Sequence, residues 1–431
     1  MLIVGAGLTG LTAAMELSRL GIPVRLIDKR PGPSATPRTL VVHPRTAELL
    51  EQRGLSPETL PAGNRVTHAA VYRKGGLLGT AAIAPDSDHR GHVLLACQTE
   101  LERVLREQLV GQDVTVEYGT ELVALAQAEP GWRGRPRGPE VTARLRHPGG
   151  SLEEVTASYL ISADGRQGTT GQLLNLRLPP PLRHGRVFFG ADAAYAYSPA
   201  TGQGANCGIQ DMVNLSWKLA MVLQEKAAPA LLGTYAEERL QAIDQLERRA
   251  EVLADSRSWP DLRTDLAGEV IPDYWSSPLS APPRGPGCLQ PGGSVPDMRI
   301  LTRDPGAPAG SPPRAMRLHE LINPSRLNLL LADDTGPAET PDGLEQLRPW
   351  RELMAVRLVA PVPDVGEQLR FSRAFGSGQS LVLVRPDSHV CFAGRPKTLP
   401  RLVSWLNTWF PPGPGGLPVR RRQLAGWQHR I

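Results

Sequence analysis

The spacing of apolar and polar positions at the start of the chain predicts a strand, a helix and a second strand. Residues 2–4 form a continuous apolar run, which is typical of a short buried strand. Apolar residues then recur at helical spacing from Leu11 to Leu17, and a second β-type run over residues 24–27 ends on Asp28. This order of elements predicts a βαβ unit within a parallel sheet.

The turn between the first strand and the helix reads Gly5-Ala6-Gly7-Leu8-Thr9-Gly10 and is typical of a dinucleotide site. Gly5 permits the tight turn, Gly7 lets a pyrophosphate approach the backbone, and Gly10 lets the helix pack closely. The helix N-terminus then offers free N–H groups to phosphate. An acid at Asp28 suits an unphosphorylated ribose, which favours FAD or NAD over NADP.

The same patterning predicts the elements that follow, up to residue 255. Two of the predicted strands end in an acidic motif, Asp-Gly at residues 164–165 and Gly-Ala-Asp at residues 190–192. The predicted helices and strands are a helix at 43–50 with Pro44 in its first turn, a hairpin at 71–83, a helix at 98–109, strands at 114–118, 121–126, 141–145, 159–161 and 187–189, a helix through Trp217 and Leu223, and a helix at 231–254.

Composition changes sharply after residue 255. Residues 256–296 are rich in Pro, Gly and Ser and predict a linker or irregular arm. Residues 297–431 mix β-type and helical patterns and predict a separate α/β domain. Its expected strands lie at 327–331, 356–359, 381–384 and 389–392, and its helices at 344–353 and 399–409.

Composition and charge narrow the class of protein. The 431 residues are 41% hydrophobic and 21% charged, with a net charge of +5 and scattered arginines, so no nucleic-acid footprint is expected. The four cysteines form no CxxC, which suggests neither a metal site nor a disulfide framework and fits a reducing cytoplasm. We expect no signal peptide and no membrane-spanning segment.

Three separated stretches together resemble one enzyme family. The glycine turn with Asp28, the Asp164-Gly165 strand end and the segment GADAAYAYSPATGQGANCGIQDMVNLSWKLA are similar to single-component flavin monooxygenases that hydroxylate phenols and aromatic polyketides, such as para-hydroxybenzoate hydroxylase. The fold class this implies is α/β, with a Rossmann-like FAD-binding domain over residues 1–255. The tail resembles the thioredoxin-like C-terminal domain of the phenol and polyketide hydroxylase branch.

The resemblance also implies which residues hold the cofactor. The glycines and Asp28 would bind the adenosine half of FAD, Arg38 and Arg45 would lie near the pyrophosphate, and Gln98 and Asp192 would contact the flavin half. The full set of implied cofactor residues is Gly5, Gly7, Leu8, Thr9, Gly10, Asp28, Lys29, Arg38, Arg45, Gln98, Asp164, Gly165, Asp192, Gly202, Gln203, Gly204, Ala205 and Asn206.

The turn before the long helix would carry the chemistry most directly. Free N–H groups at residues 202–206 would face the flavin edge where negative charge collects on reduction. Pro199 would shape the pocket where oxygen meets the flavin, so Pro199, Gly202 and Gly204 are the implied catalytic residues. In the family, NAD(P)H reduces FAD, oxygen forms a C4a-hydroperoxyflavin, and one oxygen atom passes to an aromatic substrate. A homodimer is a further expectation.

Simpler interpretations of several of these features stay open, and the turn at residues 202–206 could be a plain helix start. Arg45 could be a solvated charge on a helix, and Gln98 could contribute only helix-cap polarity. Asp192 could cap the following turn, and Asp164-Gly165 could be a plain tight turn.

One feature departs from the family pattern. Asp164 and Asp192 are only 28 positions apart, where family members carry a substrate-binding sheet of roughly a hundred residues, the size of a small domain. The substrate region is therefore reduced to residues 165–185. In addition, Ala191 stands where the family favours glycine, and Tyr195 where it favours histidine.

This shortening leaves two functions open. The first is an FAD-dependent aromatic or polyketide hydroxylase that uses NAD(P)H. The second is an FAD-binding protein without hydroxylase activity, formed by internal deletion or splicing. Cys391 lacks a paired thiol in the sequence, so the C-terminal domain is expected to serve packing or oligomerisation and not redox chemistry.

Overall fold

The fold is built on a parallel sheet that begins with the predicted βαβ unit. The computed structural model describes residues 1–36, 38–55, 64–73, 75–82, 93–127, 141–177, 179–195, 203–255, 272–282, 289–303, 311–337 and 343–412. The strands of the first part are β1 (Leu2–Val4), β2 (Arg25–Asp28), β3 (Thr39–Val42), β4 (Asn64–Arg65), β5 (His68–Arg73), β6 (Gly76–Ala82), β7 (Leu94–Cys97), β8 (Val116–Tyr118), β9 (Glu121–Gln127), β10 (Val141–Arg146), β11 (Leu152–Ala157), β12 (Leu160–Ser162), β13 (Arg183–His184) and β14 (Val187–Phe189).

The central sheet has the strand order β13-β14-β12-β1-β2-β8. Neighbouring strands from β14 to β8 run parallel, and β13 pairs antiparallel at the edge. All three residues of β1, β12 and β14 are buried, which explains why each reads as a continuous apolar run. The parallel order sets the carboxyl ends of β1, β2, β12 and β14 along one edge.

Helices cover this sheet. They are α1 (Leu8–Arg19), α2 (Pro44–Glu51), α3 (Gln98–Val110), α4 (Thr170–Leu173), α5 (Gly204–Leu223) and α6 (Gly233–Asp255), with 3-10 turns at Ala191–Ala193 and Pro229–Leu232. Helix α1 packs against both α5 and α3. No helix in the described part of the chain combines the length and the apolar character needed to cross a membrane.

Three small sheets stand beside the central one. Strands β3, β7 and β4 form an antiparallel sheet, β9 to β11 form a second, and β5 and β6 form the predicted hairpin. The pairing of β3 with β7 brings Thr39 opposite Cys97, and so places the residues that flank these strands side by side.

The connection from β12 to β14 is short, as the sequence predicts. Between Ser162 and Val187 the described chain holds only the four-residue helix α4 and the two-residue strand β13.

The C-terminal part has its own mixed sheet. Its strands are β15 (Arg299–Arg303), β16 (Arg314–Arg317), β17 (Leu327–Ala332), β18 (Met354–Pro361), β19 (Ser380–Val384) and β20 (Val390–Gly394), in the order β16-β15-β18-β17-β19-β20. Strands β17 and β18 are parallel, and the other pairs are antiparallel. Its helices are α7 (Leu318–Leu321), α8 (Val365–Phe375) and α9 (Leu399–Trp409), with 3-10 turns at Leu344–Trp350 and Pro396–Thr398.

This second sheet is buried on both faces, because α9 covers one face and α8 the other. Leu329 belongs to the same apolar cluster as Leu402 of α9, whereas its neighbour Leu330 packs with Phe371 of α8. The α9 face also includes Trp217 and Met221 of α5, so α5 is shared between the two parts of the molecule.

Most of the predicted elements are confirmed, and the errors have clear causes. The predicted helix at 344–353 is instead a 3-10 turn at Leu344–Trp350, since Pro349 lies inside it and cannot donate a helical hydrogen bond. Strands β3, β4, β7, β11, β13, β15 and β16 and helices α4, α7 and α8 were not predicted. The strands have two to six residues and α4 and α7 have four, which is too short for a distinctive periodic pattern, and in α8 only Phe371, Ala374 and Phe375 are buried.

The segment predicted as a linker is described at residues 272–282 and 289–296, and it carries neither helix nor strand there. Tyr274, Leu279 and Val295 within it are nevertheless buried. The three-domain division at residues 255 and 296 and the thioredoxin-like character of the C-terminal part stay predictions.

Candidate functional site

A groove of about 710 Å³ lies at the carboxyl ends of β1, β2, β12 and β14. This is the edge where open parallel sheets bind ligands, and the volume is in the range of small-molecule and cofactor sites. The predicted cofactor residues that line it are Gly5, Gly7, Leu8, Thr9, Asp28, Lys29, Arg38, Gln98, Asp164, Gly165, Asp192, Gly204 and Ala205.

The three glycines of the first turn have different surroundings. Gly5 has a φ of +100°, and a Cβ there would collide with the carbonyl of Ala163. A Cβ at Gly10 would collide with the carbonyl of Gly5, so Gly10 serves close packing and does not line the groove. A Cβ at Gly7 would meet no atom within 4 Å and would extend into open space. Gly7 therefore keeps the backbone accessible at the N-terminus of α1.

Asp28 ties the end of β2 to the glycine turn. Its Oδ2 accepts hydrogen bonds from Ala6 N at 2.7 Å and Arg30 Nη2 at 2.8 Å, and its Oδ1 accepts one from Arg30 Nε at 3.0 Å. Burial by itself would raise the pKa of Asp28, but the hydrogen bonds from Arg30 and Ala6 outweigh it and lower the pKa. Asp28 is therefore a carboxylate at the groove wall.

Arg38 and Gln98 meet because β3 pairs with β7. The backbone N–H of Gln98 donates to the carbonyl of Arg38 at 2.9 Å, and both residues line the groove. The Gln98 side chain donates through Nε2 to Glu102 Oε1 at 2.8 Å.

Asp164 organises the loop after β12. It accepts hydrogen bonds from Ser162 Oγ at 2.5 Å, Thr170 N at 3.0 Å and Thr170 Oγ1 at 2.9 Å. Its carboxylate thus bonds within the loop. This agrees with the alternative interpretation, in which Asp164-Gly165 is a tight turn. The loop itself, with Gly165, still forms part of the groove wall.

Asp192 lies beside the start of α5. Its side chain is exposed, and Oδ1 would be 3.8 Å from a Cβ built on Gly204. No hydrogen bond to Asp192 occurs among the residues that the structure describes. The first N–H groups of α5, at Gly204 and Ala205, face no helical acceptor, as at any helix start, and both residues line the groove.

Ala191 and Tyr195 are held by the buried carboxylate of Asp211. Ala191 has a φ of +49°, a backbone conformation that favours glycine, and its N–H donates to Asp211 Oδ2 at 2.9 Å. The hydroxyl of Tyr195 donates to the same oxygen, and Arg239 Nε donates to Asp211 Oδ1 at 2.5 Å. These bonds fix the turn that carries Asp192.

Arg45 lies elsewhere than predicted. The residue is 1% exposed, and its guanidinium donates to Asp387 O at 2.7 Å and to Glu48 Oε2 at 3.3 Å. It is therefore absent from the groove lining, and it is not a solvated helix charge either.

Asn206 and Gln203 are likewise absent from the groove lining. The Asn206 side chain accepts from His43 N at 3.0 Å and donates to Val41 O at 2.7 Å, so it anchors α5 to the β3–α2 junction. Pro199 and Gly202 lie outside the described residues.

Sequence reasoning missed several residues that line the groove. Glu102 is one turn after Gln98 on α3, and this i,i+4 spacing is a signal that could have identified it. The other polar lining residues have no distinctive pattern: Arg30, Ser34, Thr36, Thr99, Thr120, Glu121, Arg166, Gln167 and Thr169.

A buried ionic cluster joins the far part of α5 to the C-terminal sheet. Glu238 of α6 accepts from Arg385 Nη1 at 2.6 Å and from Lys218 Nζ at 2.7 Å, and Arg385 also pairs with Asp387 at 2.5 Å. Burial would raise the pKa of Glu238, but the charges of Arg385 and Lys218 lower it to about 2. Burial lowers the pKa of Lys218 to about 8.

A groove at the carboxyl ends of parallel strands, beside a glycine turn, defines a dinucleotide-binding protein. Comparison with known proteins identifies the family. The model of the FAD binding domain family matches residues 1–181 and 177–250. This is more than half of the chain. The chain belongs to the FAD binding domain family, and FAD is its cofactor.

Relatives with assigned activities are monooxygenases. The chain is 28% identical to 6-methylpretetramide 4-monooxygenase of Streptomyces rimosus in an alignment that covers 92% of this chain and 90% of the relative. It is 26% identical to pentachlorophenol 4-monooxygenase of Sphingobium chlorophenolicum, over 57% of this chain and 62% of that protein.

Solved structures support the fold. Anhydrotetracycline hydroxylase from Streptomyces rimosus superposes with a TM-score of 0.70 at 22% identity, covering 95% of this chain and 99% of that one. Aklavinone-11 hydroxylase, solved in a ternary complex with FAD and aklavinone, gives 0.69 at 21% identity, with 94% and 98% covered.

The family match falls in two parts. The two parts of the family match meet at residues 177–181, between β12 and β14. The alignment with the S. rimosus relative spans 542 positions, more than the 431 residues of this chain. The relative therefore carries residues for which this chain has no counterpart.

Proposed function

We propose that this protein is an FAD-dependent monooxygenase that uses NAD(P)H and hydroxylates an aromatic or polyketide-type substrate. One observation carries the proposal: the strand ends that bear Asp28, Asp164 and Asp192 line a single groove in a chain of the FAD binding domain family. The activities of its relatives supply the reaction class.

The residues present fit FAD. Gly7 leaves open space at the N-terminus of α1, where the free N–H groups and the positive helix end suit the pyrophosphate. Asp28 is a carboxylate at the groove wall, where the ribose would lie. Asp192, which accepts no hydrogen bond from the described residues, would lie near the flavin half. Arg38 and Lys29 add positive charge along the groove. Gly5 and Gly10 would shape the turn.

The N-terminus of α5 would perform the electrostatic work. Bound FAD would supply the electron transfer and the activation of oxygen. The N–H groups of Gly204 and Ala205, together with the helix dipole, would stabilise negative charge on the ring edge beside them. Asp211 would hold the Asp192 turn in place while charge changes in the groove.

A second candidate function follows from the short β12–β14 connection. Because the described residues of this connection form only α4 and β13, the protein can bind FAD without a sheet to hold an aromatic ring. In that case it is a flavin-binding protein without hydroxylase activity.

Three measurements on the purified protein separate these functions. We expect a flavin absorbance spectrum, NADH or NADPH oxidation that accelerates with phenols or aromatic polyketides, and incorporation of one atom of labelled oxygen into the product. A flavin spectrum without stimulated oxidation would support the second function. A colourless protein that does not take up FAD would contradict both.

A further inference from the structure

Glu102 has two carboxylate oxygens with unequal surroundings. The residue lies on α3, lines the groove, and is 1% exposed. Its Oε1 accepts the 2.8 Å hydrogen bond from Gln98 Nε2. Its Oε2 is buried and has no hydrogen-bond partner among the described residues. A buried acceptor without a donor is costly, because its hydration has been lost without replacement.

Glu102 is also close to the part of the groove that holds Asp28. Hydrogen bonding to Asp28 raises the pKa of Arg30, and the negative charge of Glu102 adds to this effect. Glu102, Arg30 and Asp28 line the same groove. An anionic ligand group such as phosphate would be repelled by the unpaired oxygen, whereas a neutral hydroxyl or amino group could donate to it.

We propose that Glu102 positions the cofactor by accepting, through Oε2, a hydrogen bond from a hydroxyl or amino group of the adenosine half of FAD. The proposal rests on the placement of FAD in the groove made above. In the same position, Oε1 of Glu102 fixes the side chain of Gln98.

A carboxylate is required for this double role. It only accepts hydrogen bonds, so the Gln98 amide must turn its nitrogen toward Glu102 and its carbonyl away. A glutamine at position 102 has one accepting and one donating end. If its oxygen faces Gln98, its NH2 group faces the ligand's donor, and no hydrogen bond forms there. If its oxygen faces the ligand, the Gln98 amide must reverse to accept from the NH2 group.

The test uses Glu102→Gln, with Glu107→Gln as the matched control. Glu107 is on the same helix, but its side chain is 62% exposed and pairs with Arg103. Binding of FAD, ADP and FMN to the apoprotein is measured by fluorescence or calorimetry, and apoprotein melting checks folding. Glu102→Met, which keeps the length and removes both acceptors, is the second variant if the glutamine variant does not fold.

We expect Glu102→Gln to weaken the binding of FAD and ADP about tenfold, as for loss of a hydrogen bond to a charged group. The binding of FMN should weaken less than twofold. Glu107→Gln should leave all three unchanged. Unchanged FAD and ADP affinities in both Glu102→Gln and Glu102→Met, or an equal loss for FMN, would overturn the proposal.

Inosine diphosphate distinguishes the two donors, because it lacks the amino group of the base. A loss that persists with this ligand assigns the contact to a ribose hydroxyl, and a loss that disappears assigns it to the amino group. Since every readout is binding, a wild type that binds FAD but does not hydroxylate would contradict the proposed function only. If Gly7→Val bound FAD as tightly as the wild type, the placement of FAD on which both proposals rest would be contradicted.

Discussion

Ala191 combines a side chain with a backbone conformation that suits glycine. Its φ of +49° belongs to the left-handed region, which costs an L-residue about 1–2 kcal/mol. The N–H bond to Asp211 holds it there. A glycine would adopt this conformation without that cost.

We predict that Ala191→Gly stabilises the protein by about 0.5–1 kcal/mol, because relief of backbone strain exceeds the added entropy of the unfolded chain. Denaturant unfolding measures this change. Ala194→Gly, on the same turn at φ −104°, should instead destabilise by a similar amount. A loss of stability in Ala191→Gly would contradict this account.

Asp192 and Asp164 should respond differently to the same truncation. We predict that Asp192→Ala lowers FAD affinity while it changes the apoprotein's stability by less than about 0.5 kcal/mol, since its carboxylate is exposed. Asp164→Ala should destabilise the apoprotein by about 1–3 kcal/mol, because Ser162 and Thr170 lose their acceptor. Flavin titration and thermal unfolding of both variants provide the comparison. Wild-type FAD affinity in Asp192→Ala would remove this residue from the site.

At the scale of the element, the glycine turn contains two positions that a substitution would affect in opposite ways. We predict that Gly7→Val folds but binds FAD at least tenfold more weakly, since its Cβ projects into open groove space. Gly10→Ala should destabilise by about 3 kcal/mol or more, since its Cβ meets a backbone carbonyl that cannot move cheaply. Circular dichroism and flavin absorbance together separate the two effects. Full FAD binding by Gly7→Val would place the pyrophosphate elsewhere.

The elements with strong local patterns were predictable from the sequence. Continuous apolar runs identified β1, β12 and β14, and helical periodicity identified α3 and α9 with small errors at their ends. Short strands such as β3 and β7 were missed, although their pairing brings Arg38 to Gln98. Such pairings join residues far apart in sequence, and local periodicity carries no information about them.

The parts of the groove that backbone geometry fixes were predictable. The positions of long polar side chains, which depend on their hydrogen-bond partners, were less predictable. The glycine turn and Asp28 follow from the βαβ unit. Arg45 was misplaced because its partner, the carbonyl of Asp387, lies 342 positions away. Asn206 was misplaced for the same reason, since it bonds residues near position 42.

At the scale of the whole molecule, Arg385 is the centre of the ionic contact between the C-terminal sheet and helices α5 and α6. We predict that Arg385→Met destabilises the protein by about 3–5 kcal/mol, because buried Asp387 would lose its guanidinium partner and buried Glu238 would keep only Lys218. Thermal unfolding measures the loss. Arg401→Met, on the exposed side of α9, should have little effect. Equal melting temperatures for the two variants would show that the cluster is not structural.

The same cluster predicts a pH dependence. The pKa of Glu238 is about 2 in the folded state, against an ordinary 4.5, so its stabilising effect is complete above pH 4.5 and declines as the pH falls toward 2. The difference in stability between wild type and Glu238→Gln should therefore be largest near neutral pH and shrink through that window. A difference that is constant from pH 7 to pH 3 would contradict the charge assignment.

The path of α5 has a consequence for dissecting this protein. The helix starts at the groove, and its later residues Trp217, Lys218 and Met221 are enclosed by the C-terminal sheet and the buried cluster. Cleaving the chain within residues 256–271 would therefore not release two independent halves. The nicked protein should migrate as one particle and fall apart only in denaturant or strong acid, and an N-terminal half expressed alone should be insoluble.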